Sequence, residues 1–202
     1  MIKKIGIDCD GVICCFNTYF STLLRQLYGN HIPILKNKEL VSNWNWWENS
    51  VMPLTKEQID KGWEIFDADP DSWVKFDPVN QEHWERFVKE LNDNPLFDIY
   101  FITARRNTGN ASAMKKTVQW LEEHGWKNPQ VIVGENKGLI CKALGIDIMI
   151  DDSGRNCADI LEVSKNTTPI LMDYPHSRKS IYSHIKRVND LNEFIDEVLN
   201  QK

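Results

Sequence analysis

Five short apolar runs punctuate the 202-residue chain: Ile2 to Asp8, Ile99 to Thr103, Val131 to Gly134, Ile146 to Ile150 and Ile170 to Met172. They are rich in Ile and Val and show no strict alternation, the pattern of strands covered on both faces of a parallel sheet. Helical periodicity fills the spaces between them. Ala111 to His124 is one such segment, stopped by Gly125, and Lys137 to Leu144 is another, stopped by Gly145. Leu191 to Leu199 repeats apolar residues at helical spacing. Strand and helix alternating in this way predict a doubly wound α/β sheet with right-handed crossovers.

Residues 16 to 96 break the rhythm. This stretch holds six of the eight tryptophans and shows helical patterns at Phe16 to Tyr28, Lys56 to Phe66 and Glu82 to Leu91, but no strand pattern. Residues 16–77 are therefore expected to form a helical insertion after the first strand, and residues 1–15 and 78–202 the core. No repeat or low-complexity tract is visible.

The first strand ends in Asp8-Cys9-Asp10-Gly11. Ligands of an open parallel sheet bind outside the carboxyl ends of its strands. Residues two apart on extended chain point to the same side, so Asp8 and Asp10 are expected to face one site, with Gly11 allowing a sharp turn. Two adjacent carboxylates repel unless a cation or a shared proton compensates, and a hard cation such as Mg²⁺ suits an oxygen-only donor set. Taken alone, the run is equally an Asx-type turn closing a strand.

Three further stretches fall at the corresponding ends. Thr103-Ala104-Arg105 offers a hydroxyl and free backbone N–H groups that can hold a phosphate oxygen. Lys137 opens a helix, where a cation opposes the macrodipole unless an anion faces it. Asp151-Asp152 closes the fourth run and is costly unless it binds a cation or caps the next helix.

In their order and strand-end context, Asp8-Cys9-Asp10-Gly11-Val12, Thr103, Lys137 and Asp151-Asp152 resemble the four motifs of the haloacid dehalogenase (HAD) superfamily. The insertion, the Phe101-Ile-Thr-Ala-Arg105 run and the Ile-Asp-Asp ending of the fourth run resemble, more narrowly, the cytosolic type C 5′-nucleotidases and 5′(3′)-deoxyribonucleotidases. The resemblance implies a Rossmann-like three-layer α/β/α core with a parallel sheet and a small helical C1 cap after the first strand. It implies that Asp8 attacks phosphorus and that Asp10 serves as acid and then base, its carbonyl helping to hold Mg²⁺. Thr103, Ala104 and Lys137 would bind phosphate, and Asp152 the metal, with Asp151 holding Lys137 or a metal-bound water. Lys142 is the second candidate for the lysine.

The substrate expected from the resemblance is a small phosphorylated molecule, a (deoxy)nucleoside monophosphate. The alternatives are a 3′-phosphate on a nucleic acid end, another phosphorylated metabolite, or bound phosphate without catalysis. Phe16, Tyr19, Trp44, Trp46, Trp47 and Arg105 are the candidate cap and substrate contacts, and ordinary packing of a small helical cap explains the tryptophans as well. A formal net charge of −5 speaks against a polyanionic partner. No apolar run approaches the ~20 residues of a membrane span, no signal-peptide pattern opens the chain, and five cysteines without CxxC spacing fit a reducing compartment. The expected location is the cytoplasm, and the oligomeric state is open.

Overall fold

The structure, a computed structural model, describes residues 2–36 and 52–200. Trp44, Trp46 and Trp47 lie outside the described residues.

Six parallel strands form one sheet: β1 (Lys3–Ile7), β2 (Phe97–Thr103), β3 (Gln130–Val133), β4 (Ile148–Asp151), β5 (Thr168–Met172) and β6 (Lys186–Val188). Their order is β3-β2-β1-β4-β5-β6. The order reverses its direction of growth between β1 and β4, which leaves a crevice at their carboxyl ends. Ile5, Ile7, Phe101, Ile148, Ile150 and Ile170 are buried, as expected of strands covered on both faces. β6 is short and carries Lys186 and Arg187. It has no apolar run, which is why the sequence pattern gives five strands and the structure six.

The helices are α1 (Phe16–Tyr28), α2 (Lys56–Ala68), α3 (Gln81–Leu91), α4 (Ala113–Glu123), α5 (Lys137–Leu144), α6 (Gly154–Val163) and α7 (Leu191–Asn200). Their starts have local chemical causes. Thr55 and Gln58 form a reciprocal capping box ahead of α2, and Asn80 accepts from the His83 N–H ahead of α3. Asn136 does the same for α5 through Leu139 N–H, and Gly145, in the left-handed region, ends that helix. α6 has no expectation in the sequence reading; its apolar residues Cys157, Ile160 and Leu161 are few.

The chain leaves the sheet region at Cys14 and returns at Pro78, where the two segments pair. Cys15 N–H donates to Asp77 O and Val79 N–H to Ile13 O, both at 2.9 Å. Between these ties α1 and α2 pack on an aromatic cluster: Phe20 meets Trp63 at 4.3 Å between ring centroids and Phe66 meets Trp73 at 4.8 Å. Several bonds run from this cluster to the core. Trp120 Nε1 on α4 donates to Phe76 O, and Trp73 Nε1 donates to Arg106 O, both at 2.7 Å. Among the described residues no helix is long and apolar enough to cross a membrane.

Candidate active site

The strand ends converge on one cavity of about 280 Å³. Asp8 directly follows β1, Thr103 ends β2, Asp151 ends β4 and Lys137 opens α5 after β3. Asp8, Asp10, Thr103, Ala104, Arg105, Lys137 and Asp152 all line the cavity.

At its floor Lys137 Nζ lies 2.7 Å from Asp8 Oδ1 and 2.6 Å from Asp151 Oδ2. All three side chains are almost fully buried. The ammonium at the start of α5 therefore faces two carboxylates, which offset its conflict with the helix dipole. Asp151 also accepts from Ser153 N–H at 2.8 Å and from Asn156 Nδ2 at 3.1 Å to both oxygens. Asp8, Asp151 and Asp152 each present a carboxylate oxygen, and these oxygens lie within 4.8 Å of one another.

Burial pushes the Asp8 carboxyl up to about 7, against the opposing pull of Lys137. Burial raises Asp152 well above the carboxylate range too, with Asp8 and Asp151 adding to the effect. Burial works against the Lys137 charge, but Asp151 and Asp8 outweigh it and raise its pKa, so it stays protonated. With all three acids ionised, three carboxylates against one ammonium leave two negative charges in a buried setting, a cost that a divalent cation would cancel. Asp152 Oδ1 is buried and has no hydrogen-bond partner among the described residues, and such an orphan calls for an explanation. An all-oxygen donor set, two excess charges and an orphaned oxygen fit a hard cation.

Gly11 closes the approach between the two acidic loops. Its φ is +87°, and a Cβ there would stand 2.0 Å from Asp152 Oδ2. Only glycine meets both conditions.

Asp10 is placed differently from Asp8. Its carboxylate is held by Arg105, Nε to Oδ2 at 2.9 Å and Nη2 to Oδ1 at 2.8 Å. The guanidinium of Arg105 is thus engaged within the protein rather than presented to a substrate. Phe16 lines the cavity; Tyr19 does not, and its ring packs on Phe76 at 5.0 Å. Lys142 is exposed and borders a separate depression with Gly145 and Asp147, whereas Lys137 sits in the acidic cluster.

Sequence reasoning missed several residues of the cavity. Trp63 and Trp73 of the insertion form an aromatic wall with Phe16, and Arg106 lies 4.8 Å over the Trp63 ring while pairing with Asp67. Asn156 belongs to the first turn of α6. His176, in the loop after β5, has Nε2 3.1 Å from Asp152 O and 3.7 Å from its Oδ2. Burial lowers the His176 pKa. The strand-end rule that singled out the other loops applies equally to the one after β5. The tryptophans gave no positional signal.

A doubly wound parallel sheet with an acidic cluster and a lysine at its strand ends has the fold of the HAD hydrolases. Solved structures of that class share the fold. A HAD family hydrolase from Deinococcus radiodurans R1, with bound phosphate and sodium, is 13% identical with a TM-score of 0.58, over 98% of this chain and 96% of that one. A HAD-superfamily hydrolase of subfamily IA from Geobacter sulfurreducens PCA is 12% identical with a TM-score of 0.55, over 98% and 96%. A haloacid dehalogenase-like family hydrolase from Xanthomonas campestris is 13% identical with a TM-score of 0.52, over 98% and 95%. No curated protein sequence matches the chain.

The chain belongs to the family described as 5′ nucleotidase, deoxy (pyrimidine), cytosolic type C, whose match spans residues 1–202. It is accordingly a phosphoric monoester hydrolase of the 5′-nucleotidase family.

Proposed function

We propose that the chain is a Mg²⁺-dependent phosphomonoesterase that acts on (deoxy)nucleoside monophosphates through an aspartyl-phosphate intermediate. The observation that carries this reading is the Asp8 carboxylate, set between Lys137 and the Asp151–Asp152 pair at the floor of a cavity with an aromatic wall.

A carboxylate attacks a phosphate dianion poorly because like charges repel, and cations at the site remove that penalty. Asp8, Asp151 and Asp152 are the side chains that would hold Mg²⁺, with the Asp10 carbonyl. Bound there, the ion would neutralise phosphate charge and orient the phosphoryl group. Lys137 supplies the second positive charge. The Thr103 hydroxyl and the Ala104 N–H bind phosphate oxygens. Asp8 attacks phosphorus and the ester P–O bond breaks, the leaving oxygen taking a proton from Asp10. Water then attacks the phosphoenzyme and gives its proton to Asp10, the bond to Asp8 breaks, and phosphate leaves with Asp10 re-protonated.

Residues 16–77 act in this reading as the cap, excluding water and recognising the rest of the substrate. Phe16 and Trp63, both only partly buried, offer apolar ring surface to a base at the cavity, which favours a nucleotide over a small aliphatic phosphate. The bound phosphate of the Deinococcus radiodurans neighbour is consistent with phosphate chemistry on this fold.

The test is a screen of nucleoside 5′- and 3′-monophosphates and small sugar phosphates, with Mg²⁺ and with EDTA. Phosphate release from a nucleoside monophosphate, abolished by EDTA and restored by Mg²⁺, is the expected result. Full activity after exhaustive chelation, or release from sugar phosphates alone, overturns the reading.

A further inference from the structure

We propose that Arg105 is the positioning residue of Asp10, fixing the plane of its carboxylate for proton transfer and tying that plane to the aromatic wall of the insertion. The proposal rests on the reading of Asp10 as acid and base.

Arg105 stands two residues after Thr103, yet its side chain is wholly buried and turned onto Asp10. Nε and Nη2 each take one oxygen of that carboxylate. The third nitrogen, Nη1, lies 3.1 Å from Thr117 Oγ1 on α4. Two rings of the insertion approach the guanidinium, Trp73 at 4.9 Å from its Cζ and Phe76 at 5.4 Å. Both are buried, and the Trp73 indole N–H is itself bonded to the carbonyl of the next residue, Arg106. A planar fork held at all three nitrogens and bordered by aromatic rings has one orientation, and a bidentate carboxylate inherits it. Asp10 sits just before the Gly11 turn, and its side chain is 26% exposed. Part of the carboxylate remains open to the cavity while the rest is fixed.

The consequence is specific to proton transfer. Departure of a nucleoside alkoxide needs the Asp10 proton, whereas p-nitrophenolate leaves without one. The kcat/KM value covers binding through departure of the leaving group, so it reports this first step and not the later attack of water. A misplaced acid therefore slows the nucleotide and spares the aryl ester.

The experiment measures kcat/KM for the fastest nucleoside monophosphate and for p-nitrophenyl phosphate. The proteins compared are wild type, Arg105→Met, Arg105→Lys, Thr117→Val, Asp10→Asn and the Arg105→Met/Asp10→Asn double variant, each checked for folding. Arg105→Met is expected to lower the nucleotide value about 10²-fold, the cost of a ~1 Å misplacement of a reacting group, and the aryl value less than about threefold. Arg105→Lys, which keeps the charge but loses the fork, falls between. The double variant loses no more on the nucleotide than Asp10→Asn does, because both changes disable one function. If Arg105→Met does not fold, Thr117→Val carries the test, with a smaller loss confined to the nucleotide. Equal losses on both substrates in the folded variants, or multiplied losses in the double variant, overturn the proposal. If Asp10→Asn hydrolyses the nucleotide as fast as wild type, the reading of Asp10 falls instead.

Discussion

At the scale of single residues, the proposed role of Asp8 as nucleophile has the most direct test. Asp8→Asn should abolish turnover and leave the fold intact, because an amide cannot form the acyl-phosphate and the Lys137 contact to Asp151 persists. Phosphate release at near wild-type rate from the purified variant, with an unchanged circular dichroism spectrum, would show that Asp8 is not the nucleophile. Gly11→Ala tests the contact between the two acidic loops. The positive φ costs of order 1–3 kcal/mol, and the added Cβ must push Asp152 aside. A urea midpoint lowered accordingly, together with weaker Mg²⁺ binding by calorimetry, is the expected pair of results; an unchanged metal affinity would contradict Asp152 as a ligand.

The acidic and basic residues were legible in the sequence because strand ends are visible as the ends of apolar runs. Their contacts were not. Arg105 illustrates why: it adjoins Thr103 and Ala104 in sequence, but its direction is set by Asp10, 95 positions away, and by the rings of Trp73 and Phe76.

At the scale of elements, periodicity found α1 and α5 with the observed bounds and placed α2, α3, α4 and α7 to within a few residues. It failed for β6, whose three residues include two cations. Residues 16–77 stand out in the sequence as a break in rhythm, but the side chains among them that line the cavity do not. Aromatic residues recur through it, and only packing decides which of them form a core and which form a wall. Phe20 and Phe66 are buried, whereas Trp63 is partly open to the cavity. Trp63→Leu keeps apolar bulk and removes the stacking face. Stacking on a base is worth ~1–3 kcal/mol, so KM for a nucleoside monophosphate should rise roughly 5- to 150-fold while hydrolysis of p-nitrophenyl phosphate stays close to wild type. A parallel fall on both substrates with a lower Tm would make Trp63 a packing residue.

At the scale of the whole molecule, the buried acids link stability to pH and metal. Burial shifts the Asp8 carboxyl from 3.8 to about 7 in the folded protein, and Asp152 moves in the same direction. The folded state then binds protons more tightly than the unfolded chain. The Asp8 contribution is fully present below 3.8 and is lost as pH rises through about 7, and that of Asp152 has the same sign. Metal binding needs the ionised acids and is favoured by the same rise. The Mg²⁺-induced increase in Tm should therefore be small near pH 5 and larger near pH 8. At a Mg²⁺ concentration of 100 times Kd, linkage gives about 2.7 kcal/mol, or roughly 5–10 °C for a chain of this size. Differential scanning fluorimetry at both pH values, with Mg²⁺ and with EDTA, measures it. A shift that is greater at pH 5 would contradict these acids as the ligands.

The paired segments at Cys14 and Pro78 carry an evolutionary consequence. Everything from residue 16 to 77 begins and ends at one stitched point on the core, so its length is decoupled from the register of the sheet. Lengthening a flexible loop costs little, about 0.6 kcal/mol for each doubling. Descendants of such a chain can lengthen this segment away from Trp73 and Phe76 while the strands that hold Asp8, Thr103, Lys137 and Asp151 keep their alignment. Exchange of the whole segment would instead remove the rings that border Arg105, so at that contact its variation is coupled to the acidic loop of Asp10.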